Sequence, residues 1–70
     1  MKLVGFANQA NALLLANYLK QQGIETQTIF EEGQYVLCLI EQSQAEKAMN
    51  ITRDFIQEPH HQKYQIEGPS

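Results

Sequence analysis

A single cysteine, Cys38, stands in this 70-residue chain. That excludes an intramolecular disulfide and any cysteine-based zinc site, and it agrees with a reducing compartment. Positive charge is also scarce. Lys2, Lys20, Lys47, Arg53 and Lys63 face eight carboxylates, for a net charge of −3. These five cations are scattered along the chain, so they form no basic footprint for a nucleic-acid backbone and no attraction for anionic lipid. Long apolar runs are missing as well. The longest, Tyr35–Ile40, falls far short of the ~20 residues that a membrane helix needs. The N-terminal apolar stretch Leu3–Ala7 meets polar Asn8-Gln9 at once, too soon for a signal peptide. Hydrophobic residues at 43% against charged residues at 19% are nevertheless too apolar a mixture for disorder. The expectation is one small soluble domain that begins and stays in the cytoplasm. A chain this short buries only roughly 60% of the surface that its unfolded form exposes, so its core is thin.

What is present alternates between strand and helix patterns. Lys2–Ala7 reads as a first strand, and Asn8 as the N-cap of a helix over Gln9–Gln22. That helix is rich in Ala, Leu, Gln and Lys, with Ala12, Leu15, Ala16 and Leu19 on one stripe. Gly23 stands where a helix ends in a left-handed residue. Ile24–Phe30 alternates as a half-buried strand, Glu31-Glu32-Gly33 supplies a turn, and Gln34–Ile40 is apolar on both faces, as a central strand is. Ser43-Gln44-Ala45-Glu46 has the spacing of a capping box. Behind it, Ala45, Ala48, Met49, Thr52, Phe55 and Ile56 keep the 3.6-residue period of a second helix that stops before Pro59. A short Lys63–Ile66 stretch offers a fourth strand, and Gly68-Pro69-Ser70 reads as linker.

The order β-α-β-β-α, with an optional last strand, predicts an α+β fold of the split-βαβ, ferredoxin-like kind. The crossover brings the third strand beside the first, in a sheet expected to mix antiparallel and parallel pairs. Both helices cover one face of three or four strands and leave the other open.

Candidate chemistry is sparse. Cys38 lies mid-strand between Leu37 and Leu39, where a thiol behaves as a small hydrophobe far from any cation. Glu58, His60 and His61 invite a metal reading. Adjacent histidines in an extended segment point apart, however, and the chain holds no other histidine, so a solvated, helix-terminating tail is expected. Ser43 has the surroundings of a cap and lacks the Gly-x-Ser-x-Gly context of a nucleophile elbow. Glu31-Glu32 reads as a solvated turn, and Leu13-Leu14 as a semi-exposed pair beside the core stripe. Phe6 and Tyr35 fall where an RNA-recognition motif of this element order stacks bases, but its basic and aromatic signature is missing from Gly33–Leu39. No catalytic, cofactor-binding or metal residue and no nucleic-acid partner is expected.

Several blocks taken together carry a resemblance. They are Phe6-Ala7-Asn8, Tyr18 with Gln22-Gly23-Ile24, Glu41-Gln42-Ser43-Gln44-Ala45-Glu46, and Phe55 with Pro59 and Lys63-Tyr64. From Val4 to Tyr64 the chain resembles the cytoplasmic N-terminal domain of bacterial rhomboid intramembrane serine proteases of the GlpG type. The resemblance implies a single domain over residues 1–66, with 67–70 as linker, on the cytoplasmic side of an inner (plasma) membrane protein. It also implies a non-catalytic accessory role, regulatory or in interaction, beside a transmembrane core of the same chain. In that family a Ser–His dyad within following transmembrane helices does the chemistry. Nothing here matches its Gly-x-Ser-Gly motif or its membrane histidine, so no catalytic residue carries over. The competing expectation is a free-standing, dimeric small-molecule sensor. An open sheet face also predicts a homodimer, formed through that face or by exchange of elements about the Glu31–Gly33 turn. Contact with a membrane surface is left open.

Overall fold

A computed structural model describes residues 1–65 of the chain. Three strands and two helices follow in the order β1 (Lys2–Phe6), α1 (Gln9–Gln21), β2 (Thr26–Glu31), β3 (Gln34–Leu39) and α2 (Ala45–Gln57). Short 3₁₀ turns at Gln42–Gln44 and Gln62–Tyr64 flank α2. The sheet order is β1-β3-β2, so the central strand is the one that is apolar on both faces, and the third strand does lie beside the first. Both pairings are antiparallel. The expected parallel pair does not form, because β1 and β2, which run the same way, are held apart by β3.

Local chemistry explains the boundaries. Asn8 caps α1, its Oδ1 accepting from the Ala10 amide at 2.7 Å. At the other end Gly23 takes φ +83° while its amide donates to Lys20 and the Ile24 amide to Leu19. This is the paired closure that only a residue without Cβ makes at low cost. The β2–β3 hairpin turns on Glu32 and Gly33, both with positive φ, the I′-type geometry that matches strand twist. Gly33 suits it, whereas Glu32 sits there at a conformational cost.

The second helix starts differently from the expectation. No capping box forms. Ser43 lies inside the 3₁₀ turn, and neither Glu41 nor Gln44 caps with its side chain. The turn satisfies the first amides instead, Gln44 N–H donating to Glu41 and Ala45 N–H to Gln42. Gln44 meanwhile reaches across, its Nε2 donating to the Gly23 carbonyl at 2.9 Å, which ties the start of α2 to the end of α1. The proposed fourth strand is also replaced. Lys63 and Tyr64 belong to the 3₁₀ turn, Gln65 is not in a strand, and Ile66 lies outside the described residues.

The core sits between one sheet face and both helices. Ala12, Leu15 and Leu19 of α1, Ala48 and Phe55 of α2, Leu37 and Leu39 of β3, Ile24 and Tyr64 are buried together. A chain of edge-on aromatic contacts runs through it, Phe6–Phe55 at 5.7 Å, Phe55–Tyr64 at 4.8 Å and Tyr64–Tyr18 at 4.9 Å. Tyr64 thus does by packing what a fourth strand would do by pairing: it fastens the end of the described chain, here over the helical layer. Burial of its phenol raises its pKa above the ordinary 10.0, a trend that Lys63 beside it partly opposes.

Candidate functional site

Two consequences of this topology single out one side of the molecule. The first is that β1 is an edge strand. The second is an irregularity in it: Lys2 pairs with Cys38 and Val4 with Leu37, leaving Leu3 as an extra residue. The bulge sends Val4 to the core face while Lys2 stays on the open face. There the Lys2 ammonium pairs with Glu31 Oε2 at 2.5 Å. The hydrogen bond and the charge of Glu31 hold the Lys2 pKa above its ordinary 10.5.

Along the same side runs the outer stripe of α2. Met49 and Ile56 were expected in the core, but they are 51% and 55% exposed. The apolar stripe of α2 is wider than the surface that α1 and the sheet cover, so its outer margin is left without a partner among the described residues. Together with Leu3, Thr52, Arg53 and Gln57 they line a groove of about 340 Å³ between α2 and β1. Thr52 is buried, and its hydroxyl oxygen has no hydrogen-bond partner among the described residues, which is uncommon for a buried polar atom. Arg53 brings the groove's single charge, and its guanidinium donates to Asn50 Oδ1 at 2.6 Å. An apolar floor, an edge strand and one cation thus lie side by side.

The residues weighed from sequence are not brought together. Cys38 is free and half-buried on the open face, alongside half-buried Ile29 and buried Val36. That face is less apolar than expected, since Lys2, Gln27, Glu31 and Gln34 share it. Ser43 and His61 lie beyond opposite ends of α2, which spans about 20 Å at 1.5 Å per residue. The imidazole Nδ1 of His61 accepts from the Lys63 amide and caps the last turn. A second, polar cleft holds His61 with Asp54, Glu58 and Lys63, but among the described residues no group of three His, Cys, Asp or Glu side chains could hold a metal ion. Phe6 and Tyr35 face the helices, with Phe6 against Phe55, and do not offer stacking platforms on the open face. Leu13 is exposed, whereas Leu14 packs against the core.

The groove escaped sequence reasoning because Met49 and Ile56 satisfy the helical period as well as the buried residues do. The one available signal was the width of that stripe, which reaches Met49 on one side and Ile51 on the other.

Comparison with known proteins adds one match. The family model described as the cytoplasmic N-terminal domain of rhomboid serine protease matches residues 1–67. No curated protein and no solved structure matches the chain.

Proposed function

The chain belongs to the cytoplasmic N-terminal domain family of rhomboid serine proteases, and from that membership we propose a non-catalytic accessory domain of the GlpG type. It forms a single unit over residues 1–66 on the cytoplasmic side of an inner-membrane protease, where it modulates the activity or association of a transmembrane core in its own chain. The family match across almost all of the sequence is the observation that carries this reading. Two features support it. No helix among the described residues is long and apolar enough to cross a membrane, and their sole serine, Ser43, stands about 20 Å of helix away from the nearest imidazole. Acyl transfer needs nucleophile and base within hydrogen-bond reach, so the chemistry belongs to residues outside this domain.

Self-association belongs to the same proposal. The open face carries Ile29, Val36 and Cys38, and in this reading the Glu31–Gly33 turn would serve as the hinge for exchange of elements between copies. Sedimentation equilibrium from micromolar to millimolar protein reads it, and a strict monomer throughout refutes it.

The reading frame past Ser70 gives the most direct test of the main proposal. It should encode several apolar runs of ~20 residues, one of them bearing Gly-x-Ser-Gly; a stop codon there ends the proposal. Purified alone, the 70-residue chain should leave peptide and casein substrates intact. Cleavage that survives repurification and disappears in Ser43→Ala would overturn the non-catalytic assignment.

A further inference from the structure

We propose that the free edge of β1 and the groove beside it form a strand-addition site for an extended segment of another polypeptide, one with apolar residues at alternate positions and a carboxylate close by. The inference needs only the fold and stands whether or not the family-based proposal above holds.

Three observations converge on this surface. In the order β1-β3-β2, β1 has a neighbour on one side only among the described residues, and an edge strand presents a row of unpaired amides and carbonyls. The described chain does not cover that edge, because its last turn is fastened over the helices by Tyr64 against Tyr18 and Phe55. Beside the edge lie the side chains a fourth strand would need beneath it, Leu3, Met49 and Ile56, two of them more than half exposed. A peptide paired to β1 sends every second side chain towards this groove, so main-chain bonds supply affinity and the apolar floor selects alternate residues. The other edge, on β2, exposes polar Gln27 and Thr28 and one large apolar side chain, Phe30, which stands against Tyr35 of the neighbouring strand.

Charge decides between occupants. The groove's lining holds one charged group, the Arg53 guanidinium, in a domain of net charge −3. Lys2, the only charge on β1 itself, is engaged with Glu31 on the open face and does not guard the edge. A second copy docking edge to edge would bring one Arg53-lined groove against another and set like charges together. A foreign strand with a carboxylate is attracted instead, and an arginine can hold a carboxylate through two parallel hydrogen bonds. The partnerless hydroxyl of Thr52 in the same wall is a further polar group that a bound segment could satisfy after a small rearrangement.

The test is an amide-shift titration of the ¹⁵N-labelled 70-residue chain with a capped heptapeptide of alternating valine and threonine carrying one glutamate. Saturable shifts should be confined to Lys2–Phe6 and to Met49–Gln57. N-methylation of the peptide at alternate residues should abolish them, which a groove contact without strand pairing would not show. Arg53→Glu should weaken the glutamate peptide about tenfold or more, equivalent to ~1.4 kcal/mol or more, and should favour the same peptide with lysine in place of glutamate. Arg53 is exposed, so the variant should fold; if its spectrum shows otherwise, Arg53→Gln and Ile56→Lys read the same contact. Four results overturn the proposal: no shifts up to millimolar peptide, shifts on β2 instead of β1, indifference to N-methylation, or undiminished affinity in folded variants. Shifts of Lys2–Phe6 on raising protein concentration alone would assign the edge to a second copy and overturn it too.

Discussion

Replacing Phe55 by alanine is the most informative single perturbation of this domain. The ring is fully buried and stands edge-on to both Phe6 and Tyr64, so it joins β1, α2 and the last turn in one contact set. Removing a buried phenylalanine side chain costs about 3–5 kcal/mol, from lost transfer free energy and the cavity left behind. The upper half of that range applies here. Phe6 is held by a strand and cannot follow the retreating surface, and the loss of one wall also loosens the Tyr64–Tyr18 pair. A domain of this length is stable by roughly 4–10 kcal/mol, at 0.05–0.15 kcal/mol per residue. Phe55→Ala should therefore lose from about two-fifths to all of its stability, and its melting temperature should drop by more than about 16 °C. Urea denaturation followed by far-ultraviolet circular dichroism measures the change, with the slope against denaturant checking that the unfolding transition is still two-state. Phe55→Leu is the control: it keeps most of the volume and should lose only about 1 kcal/mol, from the aromatic contacts. A loss under 1 kcal/mol in Phe55→Ala at unchanged slope would refute the hub role of this ring.

Three further expectations separate the structure from simpler readings. Asn8→Ala should cost about 1 kcal/mol because its side chain caps α1, whereas Ser43→Ala should stay within about 0.5 kcal/mol, since that hydroxyl caps nothing; urea midpoints of the two variants decide it. Thr52→Val replaces a buried, partnerless hydroxyl by a methyl group of similar shape and should raise stability, by up to about 1 kcal/mol. The phenol of Tyr64 has a raised pKa in the folded state. As pH climbs through the ordinary value of 10.0, the unfolded chain releases that proton first and binds fewer protons than the folded one. The contribution of this group is therefore constant below that pH and falls above it. Tyr64→Phe should flatten the alkaline loss of stability, and an unchanged slope would show that the phenol is not shielded.

Much of this protein was written into local chemistry. The helix ends at Asn8 and Gly23, the turn at Glu32-Gly33 and the two-sided apolar run of β3 follow from hydrogen bonding and backbone sterics among near neighbours. Such effects need no knowledge of the rest of the chain, and the element order followed from them. The family resemblance was legible for the same reason, as it rests on short blocks at those boundaries, and the match over residues 1–67 agrees with it. The direction of strand pairing also lay within reach, since the tight turn sets β3 antiparallel to β2 and the crossover leaves β1 running with β2, so β3 between them opposes both.

Where distant elements compete for the same surface, the tertiary structure alone decided. Where the capping box was expected, Ser43 stands in a 3₁₀ turn, and its neighbour Gln44 bonds the Gly23 carbonyl of another element. Lys63 and Tyr64, expected to open a fourth strand, stand in a turn that buries Tyr64 against Phe55 and Tyr18. Met49 and Ile56 share the periodicity of the core, yet they line a groove, because burial depends on what stands opposite a side chain and not on its spacing along the helix. The open edge of β1 follows from the same fact: a strand knows its own hydrogen-bonding groups, and only the assembled sheet determines which of them are left without partners.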